Sequence, residues 1–294
     1  MTEAATQLKN HLVICGWQPE IATLIREILE ANPDWSSRDI VLIAHIEPDA
    51  VAELRGESGL EHLQVVCADP FHESALKQAS VETAAKVLVL ADESNPAMSP
   101  TESDAQTIMT VMTVERLAPH VYKIAEMLHS DLSSYLKIAD VDEVIFPQEY
   151  SRFLLAGITT SMGLAHVVYD LLSVHTPCVL TSIPVPDEFI GRTFGDLFRH
   201  FDELPGDRRI CIGLLENTGN LHSLRRHAKI DAQKAGGYGS VIQNLKKVKE
   251  ISPNLPQLNP GDDYIIKRHS MAVVVMTHEN TKTQSTAADG TARS

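Results

Sequence analysis

The turn after the first apolar segment carries residues that could bind a phosphate group. Gly16 follows the apolar run His11–Cys15 and stands directly before a helical pattern that begins near Glu20. This is the location of the dinucleotide fingerprint G-x-G-x-x-G, in which a tight turn and a helix N-terminus hold a pyrophosphate. Gln18 and Ile21 replace the second and third glycines. The sequence therefore disfavours classical NAD binding, although helix N–H groups still attract an anion.

The end of the second apolar segment also departs from the dinucleotide pattern. Proteins that bind NAD usually carry an acid there, which accepts hydrogen bonds from the ribose hydroxyls. His45 occupies this position, and the nearest acid, Glu47, lies two residues further on. This is a second observation against an ordinary NAD site.

Several polar or glycine residues lie at or just beyond the ends of the predicted strands. Carboxyl ends of parallel strands meet at one edge of a sheet, where open α/β sheets bind their ligands. The predicted ligand-binding residues are Gly16, Trp17, Gln18, His45, Asp69, Asp92 and Glu126. Trp17 could stack on a base or serve as a structural tryptophan. An adenine nucleotide is therefore one candidate ligand.

The elements that must position these residues follow from the apolar pattern. Short apolar runs alternate with amphipathic stretches, which predicts βαβ units because parallel strands are buried on both faces and need crossover helices. The predicted strands are His11–Cys15, Ile40–Ala44, Leu63–Cys67, Ala85–Leu90, Val121–Glu126 and Glu143–Ile145. The predicted helices are Glu20–Glu30, Asp49–Arg55, Glu73–Gln78, Asp104–Leu117 and Asp131–Ile138. We expect an α/β fold with a Rossmann-like, doubly wound, mainly parallel sheet over residues 10–147.

The second half of the chain predicts a long helical segment and a smaller α/β domain. Gln148–Ser173 is apolar at helical spacing and forms a crossover or dimerisation segment over residues 148–176, packing on its own sheet or on a second copy. The sequence predicts that residues 177–277 form the second domain. It predicts a disordered tail over residues 278–294, which are rich in Thr, Ala, Gly and Ser. The strands predicted in the second domain are Cys178–Pro184, Ile210–Leu215, Tyr264–Lys267 and Met271–Met276.

Composition excludes several classes of protein. The 25 Lys and Arg against 39 Asp and Glu give a net charge of -14, so nucleic acid is not an expected partner. No apolar run approaches the roughly 20 residues of a membrane-spanning helix. The four cysteines, each in or beside an apolar run, predict buried small side chains in a reducing cytosol.

The order and spacing of short segments resemble the RCK family (regulator of K⁺ conductance, with TrkA-N and TrkA-C parts). Those in the first half are His11–Trp17, Cys67–Pro70, Val87–Asp92, Ser103–Thr107, Ile124–Glu126 and Asp140–Pro147. Ile183–Gly191 and Asn259–Ile266 resemble phrases of the family's C-terminal subdomain. The chain is similar to the cytosolic domains of prokaryotic ligand-gated potassium channels.

This resemblance implies a non-catalytic, ligand-sensing role. It implies homodimers that pair through the segment around Gln148–Ser173 and join into a gating ring, an octamer being one arrangement. The ring would lie at the cytosolic face of the cell membrane and act on a potassium channel pore, either on the same chain or separate. A ligand that binds two ring states with different affinity would then open or close the pore.

The resemblance also implies a candidate cation site. Asp104 and Glu126 match two carboxylates that bind calcium in the calcium-gated relatives, but Leu128 stands where a third acid is expected. Calcium takes six to eight oxygen ligands, so loss of one carboxylate predicts weak or absent binding at this position. A divalent cation such as Ca²⁺ and an adenine nucleotide therefore both stay open as the regulatory ligand.

Other functions remain as alternatives at this point. The chain could be a separate peripheral subunit of a potassium transporter that binds an adenine nucleotide, or a scaffold with empty clefts. An NAD-dependent oxidoreductase would need an intact fingerprint and an acid/base cluster, and neither is evident in the sequence. No catalytic residue is predicted.

Overall fold

The computed structural model describes residues 8–132, 135–136, 139–204, 209–234 and 252–277. The predicted tail at 278–294 and four residues of the predicted helix Asp131–Ile138 lie outside the described residues.

Six parallel strands form the first sheet, with the order β3-β2-β1-β4-β5-β6. The strands are β1 (Leu12–Cys15), β2 (Ile40–Ala44), β3 (Gln64–Cys67), β4 (Lys86–Val89), β5 (Tyr122–Glu126) and β6 (Glu143–Ile145). The inner strands β1 and β2 are buried at every position, because helices cover both faces of a doubly wound sheet. The predicted Rossmann-like fold is confirmed, and each strand lies within one residue of its predicted bounds at either end.

Four helices connect these strands where the amphipathic pattern predicts them. They are α1 (Ile21–Ala31), α2 (Pro48–Gly56), α3 (Glu73–Gln78) and α4 (Pro100–Leu117). The helix α4 begins four residues before its predicted start, since Ser99 and Glu102 form a capping box that satisfies N–H groups of the first turn. Pro100 fits the first helical position because it has no N–H to leave unpaired.

The segment after β6, which the apolar spacing predicts as helical, forms two helices. They are α5 (Pro147–Ile158) and α6 (Leu164–Leu172). Thr159 and Thr160 turn their hydroxyls onto carbonyl oxygens of the last turn of α5, and Gly163 adopts a left-handed conformation with φ of 78° before α6. These local bonds and the glycine end one helix and start the next.

A second, four-stranded antiparallel sheet has the order β7-β10-β8-β9. Its strands are β7 (Cys178–Pro184), β8 (Ile210–Glu216), β9 (Leu255–Leu258) and β10 (Met271–Thr277), with the helix α7 (Phe194–Asp202) packed on β8.

The prediction of a strand at Tyr264–Lys267 was wrong. Its backbone makes a single bridge, from Ile265 to Thr193, and the fourth strand is β9, whose Pro256 hid it from the pattern. Proline is tolerated there because β9 is an edge strand.

The chain divides into two compact units. The first contains the chain up to Arg152 together with the helix α8 (Leu221–Lys234), and the second contains Phe153–Gly219 and the segment that carries β9 and β10. The helix α8 thus belongs to the first unit although it lies between β8 and β9 in the sequence.

The cysteines differ in their exposure to solvent. Cys15 and Cys211 are buried free thiols, and burial raises their pKa values to about 12 and about 11. Cys67 is exposed, so the prediction that every cysteine is buried was wrong; it is the last residue of the edge strand β3.

Among the helices of the described ranges, none combines the length and the apolar character needed to cross a membrane.

Candidate ligand-binding site

The candidate site lies where β1 and β4 end side by side. The chain order of the sheet reverses between these two strands, so their outgoing connections run to opposite faces and leave a crevice at the carboxyl edge. The loops after β1, β4 and β5 line this crevice. Ligands of open α/β sheets bind at such a point.

Gly16 makes the tight turn that opens the crevice. Its φ of 102° is a conformation that side chains rarely adopt, and a Cβ placed on it would lie 2.9 Å from the carbonyl oxygen of Leu90. The N–H of Gly16 donates to the carbonyl of Ile43 at 2.9 Å, which ties the turn to the end of β2. Glycine is therefore required here by conformation and by space, independently of any ligand.

The loops after β1 and β4 are tied to each other through Trp17 and Asp92. The backbone N–H of Trp17 donates to Oδ1 of Asp92 at 2.9 Å, and the N–H of Glu93 donates to the carbonyl of Trp17 at 2.7 Å. The hydroxyl of Ser94 donates to Oδ2 of the same carboxylate at 2.8 Å. The indole of Trp17 is half-buried against the apolar cluster under β1 and β2.

Gln18 and Glu126 form a second tie across the crevice. Nε2 of Gln18 donates to Oε2 of Glu126 at 2.7 Å, and that oxygen also accepts the N–H of Ala91 at 3.1 Å. Burial raises the pKa of Glu126, and the nearby Glu93 adds to this, while the hydrogen bonds from Ala91 and Gln18 act in the opposite direction. The Glu126 carboxylate thus joins the turn after β1, through Gln18, to the end of β4, through Ala91.

His45 and Asp69 lie together at the ends of β2 and β3. Nδ1 of His45 is 3.0 Å from Oδ1 of Asp69, and Nδ1 of His72 is 3.9 Å from the other oxygen. The position that usually holds a ribose-binding acid therefore holds a histidine with an acid from the neighbouring strand beside it. His72 is a residue that the sequence reasoning missed, although it too follows a strand closely.

Asp104 is fully buried and both of its oxygens bind the chain itself. Oδ1 accepts the N–H of Leu128 at 2.7 Å, and Oδ2 accepts the N–H of His129 at 3.0 Å and contacts Nδ1 of His129 at 2.8 Å. Asp104 thereby fixes the chain just after Glu126. His129 was also missed, and its only sequence signal is its place at the end of β5.

The two predicted cation ligands have different sets of partners, Asp104 with residues after β5 and Glu126 with Gln18 and Ala91. Within the ranges that the structure describes, no group of three or more His, Cys, Asp or Glu side chains is arranged to hold a metal ion. A role for Asp104 and Glu126 in binding a cation stays a prediction.

The helices α5 and α6 carry exposed apolar side chains. These are Tyr150, Phe153, Leu155, Ile158, Val167, Tyr169 and Leu172, with Met162 between the helices. A set of this size is unusual on the surface of a monomeric protein and is typical of a protein–protein interface.

Comparison with known proteins defines the class to which the first unit belongs. Residues 7–125 match the family model described as the calcium-activated potassium channel slowpoke-like RCK domain. This part of the chain therefore matches an RCK domain, as the segment pattern indicated. The matched residues include β1 to β4 and most of β5, which carry nearly all of the crevice described above.

Individual relatives are channel proteins. The chain is 28% identical over 167 residues to the calcium-gated potassium channel TvoK of Thermoplasma volcanium, covering 57% of this chain and 45% of that protein. It is 24% identical over 263 residues to the probable ion channel POLLUX of Oryza sativa, covering 84% of this chain and 26% of that protein. The chain thus spans less than half the length of these relatives.

A solved structure shares the fold. The human SLO3 gating ring superposes with a TM-score of 0.57 and 14% sequence identity, covering 91% of this chain and 43% of that chain. At this identity the likeness concerns the fold, which includes the second unit as well as the RCK domain.

Proposed function

We propose that this chain is the ligand-sensing regulatory part of a potassium channel, acts at the cytosolic face of the cell membrane, and has no catalytic role. The observation that carries the proposal is the crevice of the RCK domain, whose loops are held together by two side-chain ties, Trp17–Asp92 and Gln18–Glu126. The similarity to TvoK, a calcium-gated potassium channel, supports potassium as the conducted ion.

A ligand in the crevice would act by replacing these ties. Any group that binds Glu126 or the N–H of Trp17 competes with the bonds of 2.7 and 2.9 Å that now join the loops. The loop after β4 is also joined to α4, because the hydroxyl of Ser103 donates to the carbonyl of Asp92 at 3.1 Å. A ligand that changes the loop would therefore change the first turn of α4, and its differential affinity for the two states sets the size of the response.

The charge of the crevice limits the chemistry of the ligand. Asp92, Glu93 and Glu126 are acidic, and the first and third already accept hydrogen bonds. A divalent cation fits such a surface, and an adenine nucleotide would reach it with a cation on its phosphates. Classical NAD binding through the glycine turn is disfavoured because Gln18 replaces the second glycine, and its side chain occupies the place where a pyrophosphate would approach the backbone.

Assembly is the second part of the proposal. The apolar face on α5 and α6 would pair with the same face of a second copy, giving a homodimer, and dimers would join into a ring under the pore module. The pore module would be joined to this chain or be a separate protein. The exposed leucines and aromatic residues of this face support pairing of two copies.

Titration with candidate ligands tests the sensing role. We expect Ca²⁺, ADP with Mg²⁺, or both to raise the unfolding temperature of the full chain, because a ligand at 100 times its Kd stabilises a protein by about 2.7 kcal/mol. Glu126→Gln should reduce the shift, whereas Glu53→Gln, at an exposed position on α2, should leave it unchanged. No shift with Ca²⁺, Mg²⁺, AMP, ADP, ATP or NAD would contradict a sensing role.

A further inference from the structure

The chain enters the first strand through a short segment that is hydrogen-bonded to the turn before β4. Thr83 of this turn binds the segment twice. Its hydroxyl donates to the carbonyl of Leu8 at 2.5 Å, and its carbonyl accepts the N–H of Asn10 at 2.9 Å. We refer to residues 8–11 and 79–85, which are joined in this way, as the entry clasp. The residues that precede Leu8 are connected to the sheet through this clasp.

His11 closes the clasp on its buried side. The residue is 1% exposed, its Nε2 lies 2.9 Å from the carbonyl oxygen of Ala79, and its own carbonyl accepts the N–H of Ala85 at 2.9 Å. Because a carbonyl oxygen can only accept, Nε2 carries the proton of the neutral imidazole. Nδ1 therefore carries a lone pair, and it is buried without a hydrogen-bond partner among the described residues.

The closed clasp does not accommodate a protonated imidazole. A second N–H, at Nδ1, would be buried without an acceptor in the described part of the chain. Burial lowers the pKa of His11, whereas the hydrogen bond to the Ala79 carbonyl and the charge of Asp39 act in the opposite direction. In an opened clasp His11 reaches water and takes up a proton near the ordinary histidine pKa of about 6.5. Protons therefore bind the open state in preference to the closed state.

The charged groups around His11 do not offer the imidazolium a buried partner. Asp39 is the acid whose charge acts on the imidazole, and its Oδ2 already accepts the N–H and the hydroxyl of Ser36, each at 2.8 Å. The other charged or titratable side chains on the elements around His11 are all exposed, and they are Lys9, Arg38, Lys77, Glu82, Lys86 and His120. The attraction of Asp39 thus opposes the effect of burial without supplying the missing acceptor.

We propose that the entry clasp is a proton-sensitive device, which is closed while His11 is neutral and opens when His11 takes up a proton. The clasp is most stable above the ordinary histidine pKa, and the ratio of open to closed molecules rises about tenfold between about pH 7.5 and 5.5. Opening releases the bonds of Leu8 and Asn10 to Thr83 and leaves the rest of the first sheet in place.

Hydrogen exchange of single amides in the full chain measures this opening, with each rate compared to that of an unstructured peptide at the same pH. We expect the N–H groups of Asn10 and Ala85 to be less protected than that of Gly16, which follows the other end of β1 and binds the Ile43 carbonyl. Their protection should fall about tenfold between about pH 7.5 and 5.5. Equal protection of Ala85 and Gly16 would overturn the proposal, because the clasp would then open only when the whole sheet unfolds.

His11→Gln identifies the titrating group. Its amide can donate to the Ala79 carbonyl and carries no charge, so the fall in protection should be lost. His120→Gln is the matched control and should keep the fall, since Nε2 of His120 lies 3.0 Å from the Glu82 carbonyl of the same clasp but the side chain is exposed. A fall that persists in His11→Gln would overturn the proposal.

Titration of the imidazole NMR signals of the wild-type chain tests the proposal without a variant, and it decides the question if His11→Gln does not fold. The imidazole of His11 should stay neutral to a lower pH than that of His120. A His11 imidazole that takes up its proton at the same pH as His120 would contradict a closed clasp that excludes the proton.

Discussion

At the level of single residues, the N–H groups that line the crevice donate hydrogen bonds to carboxylates of the chain itself. In a dinucleotide-binding turn these donors face the ligand phosphates. Here the backbone N–H of Trp17 donates to Asp92, and the side-chain amide of Gln18, which replaces the second glycine of the fingerprint, donates to Glu126. The turn after β1 is therefore joined to the loop after β4 and to the end of β5, and we propose that a ligand which separates them alters the crevice. The carboxylates of Asp92 and Glu126 accept these hydrogen bonds, so a cation that binds either carboxylate would compete with a tie, which is the chemical basis of the proposed sensing role.

Gly16→Ala tests the steric demand of the turn. We expect it to lower the free energy of unfolding by at least about 1 kcal/mol more than Gly59→Ala. Both glycines have positive φ, but a Cβ at Gly16 meets the Leu90 carbonyl, whereas nothing lies within 4 Å of one at Gly59. Urea denaturation of the two variants measures the difference. Equal losses would mean that the close approach to Leu90 carries no cost.

The residues of the crevice were predictable to the extent that strand ends were predictable. Gln18, Asp92 and Glu126 all follow apolar runs, and the carboxyl edge of a parallel sheet brings such residues together. Which pairs they form was not predictable, because a donor and an acceptor separated by 108 positions leave no local pattern. The partnership of Asp104 with His129 was hidden for the same reason.

His11 makes stability depend on pH. It is buried, and burial lowers its pKa, although the Ala79 carbonyl that Nε2 contacts at 2.9 Å and the charge of Asp39 act in the opposite direction. Below the ordinary histidine pKa of about 6.5 the unfolded chain takes up a proton that the folded chain resists, so stability falls as pH falls. His11→Gln should remove this part of the pH dependence.

Urea unfolding between about pH 7.5 and 5.5 measures the effect, since this interval brackets the ordinary histidine pKa. His62→Gln replaces an exposed histidine and controls for the loss of a titrating group. If His11→Gln keeps the slope of the wild type, the buried imidazole is not the cause.

At the level of elements, the docking of α8 on the first unit is the feature least evident from the sequence. Asp142, just before β6, accepts the N–H of Leu221 at 2.6 Å with Oδ1, and with Oδ2 it accepts the N–H of Lys123 at 2.8 Å. Asn220 donates to the same carboxylate at 3.1 Å and caps α8 by accepting the N–H of Ser223. A buried carboxylate thus joins the starts of α8, β5 and β6.

Asp142→Asn tests this junction. An amide offers one acceptor oxygen and places an NH₂ group against a backbone donor, so we expect a loss of about 1–3 kcal/mol in the free energy of unfolding. Hydrogen exchange of the amides in the first turn of α8 should rise as well. Asp34→Asn, at an exposed turn, should change neither quantity. A variant that keeps the stability and exchange of the wild type would show that α8 is held by other contacts.

Other elements show where apolar spacing succeeds and fails. The strands β1 and β2 were predictable because burial on both faces leaves continuous apolar runs such as Ile40–Ala44. The strand β9 was not predictable, since it is a largely exposed edge strand and contains Pro256, so it lacks an apolar run. The division of Gln148–Ser173 into α5 and α6 depends on the left-handed Gly163, which apolar spacing does not report.

At the level of the whole molecule, the proposal requires that ligand binding and assembly be coupled. The apolar face on α5 and α6 includes Leu155 and Leu172, which are 65% and 70% exposed. Leu155→Glu and Leu172→Glu should each weaken association of two copies by about tenfold or more, because charge in the centre of an apolar interface is strongly unfavourable. Leu258→Glu, at a leucine of β9 that is 61% exposed, is the matched control.

The most direct test of ligand sensing is the dimerisation constant of the full chain, measured by sedimentation equilibrium with and without Ca²⁺ and with and without ADP and Mg²⁺. Linkage requires that a ligand which prefers one assembly state shift that constant, and couplings in proteins are typically about fivefold or more. We predict a shift of that size with at least one of these ligands, reduced in Glu126→Gln. A chain that stays monomeric, or a dimerisation constant that no ligand changes, would contradict the account.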